Sequence, residues 1–121
     1  MNEKSDETVL VVDDDQDIRD ALCDLLVDAG YRADSAANGK EALVYLATRE
    51  APCVILLDLM MPVMDGWEFR RRQQGDPRLC KIPVVVITAS GKLGADSIEA
   101  ERVLPKPLQI DHVLEAIQHY C

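Results

Sequence analysis

The sequence predicts an open α/β sandwich, in which a parallel sheet is covered on both faces by helices. Apolar, β-branched runs led by Val9-Leu10-Val11-Val12 and Val54-Ile55-Leu56-Leu57 show no polar alternation, as strands buried on both faces require. Segments of helical length with one apolar stripe separate these runs. Strict β–α alternation with right-handed crossovers then gives one sheet, and a ligand site in such a sheet lies beyond the carboxyl ends of its strands. At 121 residues, one domain spanning residues 1–121 is expected.

Strands are expected at residues 8–13, 31–36, 53–58 and 83–88, with a weaker one near 101–104. A helix over residues 15–29 carries Ile18, Leu22, Leu25, Leu26 and Ala29 on one face and is closed by Gly30. Asn38 caps a second helix running to about Arg49, striped by Ala42, Leu43, Leu46 and Ala47, and Pro52 keeps it out of the next strand. The third helix starts after Gly66, part-buries Trp67 and Phe69, and ends before the turn signal Gly75-Asp76-Pro77. Arg70-Arg71-Arg72 on it reads as a solvated face. Residues 90–100 contain Gly91 and Gly94, so a short or irregular fourth helix is expected there, from Ala95 onward. A last helix over residues 109–119 turns Ile110, Val113, Leu114 and Ile117 inward and leaves His112 and His119 at the surface.

Composition narrows the function classes. A net charge of −9 with 48% hydrophobic residues fits a compact acidic protein and argues against nucleic-acid binding. No apolar run approaches the roughly 18 residues of a membrane span, and residues 1–8 hold no signal-like stretch, so a cytoplasmic protein with no membrane partner is expected. Cys23, Cys53, Cys80 and Cys121 stand far apart without a Cys-x-x-Cys pair, which predicts four reduced thiols and no zinc site.

Both of the leading apolar runs stop at carboxylates: Asp13-Asp14-Asp15 after the first and Asp58 after the second. Like charges cost free energy to gather, so a cation or a chemical role must compensate. Asp13, Asp14 and Asp58 are hard oxygen ligands without His or Cys, a set suited to Mg²⁺, with Mn²⁺ able to substitute. Asp15 reads as a helix cap. Thr88 ends the run Val84-Val85-Val86-Ile87 at the same edge, and Lys106 in Leu104-Pro105-Lys106-Pro107 can reach it. Asp58, alone at a central strand end, is the best nucleophile for phosphoryl transfer through an acyl phosphate.

These segments, together with Leu59-Met60-Met61-Pro62-Val63-Met64-Asp65-Gly66 and Ala89-Ser90, resemble the receiver domain of two-component response regulators over essentially the whole chain. The resemblance implies a flavodoxin-like (βα)5 three-layer sandwich with strand order 2-1-3-4-5, the arrangement for which a receiver protein is itself a standard example. It implies that Asp58 is the phosphoacceptor, assisted by Thr88 and Lys106. Asp13, Asp14, Asp58 and the Met60 main-chain carbonyl would hold Mg²⁺, and a cis peptide would precede Pro107. It also implies a sensor histidine kinase or histidine phosphotransfer protein as donor and an output protein or domain as recipient. Such a receiver stands free or belongs to a larger regulator or hybrid kinase.

The sequence departs from the family pattern at Val103, where an aromatic residue is usual three positions before the lysine. That substitution raises an alternative, a receiver-like interaction module that works without phosphorylation. A Mg²⁺-dependent phosphohydrolase is a further reading, but it would need a second acid where Met60 stands.

Overall fold

The computed structural model describes residues 7–88 and 100–121. Its elements in chain order are β1 (Thr8–Val12), α1 (Gln16–Asp28), β2 (Arg32–Ala36), α2 (Gly39–Thr48), β3 (Val54–Asp58), α3 (Gly66–Gln74), β4 (Val84–Thr88), β5 (Arg102–Pro105) and α4 (Ile110–Tyr120). The five strands form one sheet in the order β2-β1-β3-β4-β5. All four pairings are parallel. The fold is flavodoxin-like. The short or irregular helix expected from Ala95 onward falls almost wholly outside the described residues.

Every residue of β3 and β4 is buried, because side chains that alternate between the two faces of a covered sheet meet a helix on either side. On one face Leu10, Val12, Ile55, Leu57, Val84 and Val86 pack with Ala42 and Leu46 of α2 and Phe69 of α3. On the other, Val9, Val11, Val54, Leu56, Val85 and Ile87 pack with Leu22 and Leu26 of α1 and Val113, Ala116 and Ile117 of α4. The sheet is thus clamped on both sides, and the five carboxyl ends of its strands are left as one open edge.

The Asp15 and Asn38 caps follow the sequence reading, and α3 begins at Gly66 with Asp65 as its cap. Asp15 accepts from the amides of Asp17 and Ile18 at the start of α1, Asn38 from Glu41 at the start of α2, and Asp65 from Glu68 at the start of α3. Gly30, just past α1, has φ +98°, a conformation that favours glycine.

Four expectations are corrected. Ile110 is 58% exposed, because it opens α4, ahead of the turn that meets the sheet at Val113. Ala47 of α2 is also exposed, at the margin of a stripe that narrows to Ala42 and Leu46. The three arginines do not share a solvated face. Consecutive helical residues fan out by about 100°, so one of them must turn inward, and Arg70 is buried. It donates to Gln73 Oε1 at 2.8 Å, and Gln73 Nε2 in turn donates to the carbonyls of Leu79 (2.9 Å) and Ile82 (3.0 Å). Arg71 and Arg72 do stay exposed and pair with Glu68. Finally, Cys53 and Cys121 are joined in a disulfide, which leaves Cys23 and Cys80 as thiols. Linear spacing could not show that the residue before β3 meets the residue after α4.

Candidate functional site

Asp13 follows β1 and Asp58 ends β3, and these strands are neighbours in register. Their carboxylates therefore emerge side by side at the open edge. Oxygens of Asp13, Asp14 and Asp58 all lie within 4.8 Å of one another. Asp13 and Asp58 are 2% and 5% exposed, while Asp14 faces solvent. Asp13 is held through both its side chain and its main chain. Asp13 Oδ1 accepts from the Asp15 amide at 2.9 Å, and the Asp13 carbonyl accepts from Arg19 Nη1 at 2.8 Å.

Lys106 closes the site from the β5 side. Its amide donates to the Thr88 carbonyl at 2.9 Å, and its Nζ lies 3.3 Å from Asp13 Oδ2 and 3.7 Å from Asp58 Oδ1. Thr88, at the end of β4 beside β3, is 3% exposed. The Lys106–Pro107 peptide is cis, as the resemblance implied. His112 and His119 lie exposed on α4, and the three methionines after Asp58 divide into an exposed Met60, a buried Met61 and a Met64 packed against the core.

The electrostatics of Asp58 follow from this crowding. Burial, then the neighbouring Asp13 carboxylate, push its pKa from 3.8 up to about 6, with a smaller push from Asp14, while Lys106 and the Met60 amide pull it back down. A half-neutralised carboxylate cluster held by fixed amides is what a divalent cation with hard oxygen preference fits. Asp13, Asp14 and Asp58 therefore suit Mg²⁺ in donor type, spacing and unbalanced charge.

Two contributors escaped the sequence reading. Arg19 holds the Asp13 backbone through a contact six residues along the chain. Gly66 reads only as a helix start in the sequence, yet its amide donates to the Leu59 carbonyl at 2.9 Å, and a Cβ there would stand 2.7 Å from the Asp58 main-chain oxygen. A strand–loop–helix with a glycine opening the helix was the only available hint of such a close approach.

Residues 9–118 match the family model described as the response regulator receiver domain. Sporulation initiation phosphotransferase F of Bacillus subtilis is 36% identical over 126 residues, covering 99% of this chain and 94% of that protein. Response regulator Rre1 of Synechocystis is 37% identical over 116 residues, 91% of this chain but 49% of that protein. The chain thus spans about half the length of several curated relatives it matches and nearly all of others. Among solved structures, the chemotaxis protein CheY4 of Vibrio cholerae superposes with a TM-score of 0.85 at 31% identity, covering 95% of this chain and 98% of that one. The signal receiver domain of a histidine kinase from Syntrophus aciditrophicus gives 0.87 at 26% identity, covering 94% and 89%.

Proposed function

The chain belongs to the response regulator receiver domain family of two-component signalling, and we propose that Asp58 is the residue on which this phosphorylation-controlled switch is phosphorylated. The observation that carries the reading is Lys106 Nζ set between Asp13 and Asp58 at the carboxyl edge of the sheet. We take residues 1–121 as one receiver domain.

Asp58 attacks the phosphorus of a phosphohistidine or a small acyl phosphate, the P–N or P–O bond to the donor breaks, and an acyl phosphate forms on the Asp58 carboxylate. Lys106 pairs with a phosphoryl oxygen as the new charge arrives, and the Thr88 hydroxyl donates to another. Asp13 and Asp14 hold the charge pattern that seats the cation. Mg²⁺, bound by the carboxylates of Asp13, Asp14 and Asp58 and by the Met60 main-chain carbonyl, would offset the repulsion between the incoming phosphoryl group and the acidic cluster.

Receiver domains exchange phosphoryl groups with histidine kinases or phosphotransfer proteins and act on output domains. We place this chain in that scheme, in the cytoplasm, with no membrane or nucleic-acid contact of its own. No helix among the described residues is long and apolar enough to cross a membrane. Val103, 39% exposed on β5, carries no aromatic ring at the position where the family usually has one, so we assign the output change to Thr88 and the segment that follows it.

The test is incubation with Mg²⁺ and acetyl phosphate, followed by intact-mass measurement of the wild type and of Asp58→Asn. One added phosphoryl group on the wild type, absent from the variant and from samples with EDTA, supports the proposal. Labelling that persists in the variant, or none in the wild type, overturns it.

A further inference from the structure

At the edge of the sheet opposite the phosphorylation site, two cysteines distant in sequence meet. Cys53 and Cys121 are disulfide-bonded, with 5.4 Å between their Cα atoms across a separation of 68 residues, an ordinary spacing for a bridge. Each backbone is held independently of that bond. The Cys53 amide donates to the Thr8 carbonyl at 2.9 Å and the Cys121 amide to the Ile117 carbonyl at 2.8 Å. The sulfurs therefore stay within reach of one another when the bond is open, and both residues are half-buried, so that small thiols can approach them.

The surroundings suit the open pair as well. Glu7 Oε2 is buried with no hydrogen-bond partner among the described residues, and a Glu7 carboxylate oxygen lies within 4.8 Å of both sulfurs. The Thr8 carbonyl oxygen lies 3.4 Å from Cys53 Sγ. A disulfide offers these acceptors no proton, whereas two thiols offer S–H donors to both. The unsatisfied acceptor opposes the closed state and favours reopening.

The position of the bond gives it leverage. Cys53 directly precedes β3, which ends at Asp58, and Cys121 directly follows α4, whose first residue comes shortly after Lys106. β3 is thus tied at its carboxyl end to the segment that leads into α4, through the Lys106–Asp58 ion pair, and before its first residue to the end of α4, through sulfur.

We propose that Cys53 and Cys121 form a reversible thiol–disulfide site, closed by glutathione-class disulfides and opened by thiols, which sets how firmly α4 is held to the sheet. One cysteine thiolate attacks a glutathione disulfide sulfur, the S–S bond breaks and a glutathione thiolate leaves. The second cysteine thiolate then attacks the protein sulfur of the mixed disulfide and releases a second glutathione. Two electrons pass from the protein to the oxidant, and the two thiol protons end on two glutathione molecules. Closing so long a loop restrains the open chain strongly.

The chain is equilibrated in glutathione buffers of graded oxidised-to-reduced ratio, quenched by alkylation and mapped by peptide mass. Cys53 and Cys121 should lose alkylation together and reversibly while Cys23 and Cys80 remain alkylated. The reduced chain should keep its circular dichroism spectrum, melt about 10 °C lower, and exchange the amides of α4 roughly tenfold faster or more. Cys53→Ser should match the reduced wild type in every buffer, and Cys121→Ser provides the same comparison if Cys53→Ser misfolds. The proposal is overturned by a bond that excess dithiol cannot open in the native protein, by pairing with Cys23 or Cys80, by unfolding on reduction, or by equal α4 exchange in both states.

Discussion

A Cβ on Gly66 would stand 2.7 Å from the main-chain oxygen of Asp58 and 2.8 Å from Leu59 Cα. The Asp58 backbone therefore forms the floor on which α3 begins, and no side chain fits between them. Leu59 Cδ2 also stands 2.8 Å away, but the other two obstructing atoms are backbone, so Gly66→Ala must move the β3–α3 loop and not only a rotamer. Overpacking of this kind costs about 1–3 kcal/mol. We expect Gly66→Ala to lower the unfolding free energy from urea titration by that amount and to slow labelling by acetyl phosphate at least tenfold. A variant that labels at the wild-type rate would show that the loop yields without disturbing Asp58.

The pKa of Asp58, pushed up to about 6 by burial and by Asp13, carries a sign that stability measurements can read. The folded state prefers the neutral acid, so this group favours folding below its unfolded pKa near 3.8, and that contribution is lost as pH rises through about 6. Above that range the charged carboxylate costs on the order of 3 kcal/mol. Asp58→Asn carries no charge to lose. In EDTA its stability advantage over the wild type should be near zero around pH 4 and grow to a plateau above about pH 7. Added Mg²⁺ should narrow the gap by stabilising the wild type. Urea titrations at several pH values check this, and an advantage independent of pH would refute the electrostatic cause.

Much of the site could be read in the sequence because each part sat at a strand end. Asp13, Asp58 and Thr88 are placed by the lengths of their apolar runs, and Lys106 by the proline pair that frames it. The contributors that escaped act through the tertiary fold. Arg19 reaches back to a carbonyl, Gly66 matters only because α3 packs on β3, and Cys53 meets Cys121 only once α4 crosses the sheet. Arg70 shows the same limit, since charge pattern alone does not reveal which of three arginines a helix turns toward Gln73.

Val63, in the loop between Asp58 and α3, has φ +69° and is 78% exposed. A β-branched residue in the left-handed region is strained, by about 1–2 kcal/mol, and so open a side chain recovers little by packing. Asparagine tolerates that conformation far better. Val63→Asn should raise the unfolding free energy from urea titration by roughly 1 kcal/mol with the slope of the transition unchanged. A loss of stability would mean that the Val63 side chain makes contacts worth more than the strain.

Lys106 yields a prediction in which two effects point in opposite directions. Its ammonium lies 3.3 Å from Asp13 and 3.7 Å from Asp58, both buried, and it alone among the described side chains is ion-paired to both carboxylates. Lys106→Met removes that charge while keeping an apolar stem of similar reach. The carboxylates then repel without relief, and the metal-free fold should lose about 1–3 kcal/mol. The same excess negative charge attracts a divalent ion more strongly, so Mg²⁺ should bind several-fold tighter, as followed by the fluorescence of half-buried Trp67 near the start of α3. Labelling by acetyl phosphate should nevertheless fall at least tenfold, because the proposed ion pair between Lys106 and the arriving phosphoryl group is lost. Weaker Mg²⁺ binding in the variant would assign Lys106 a different task, that of holding the two carboxylates in place for the ion.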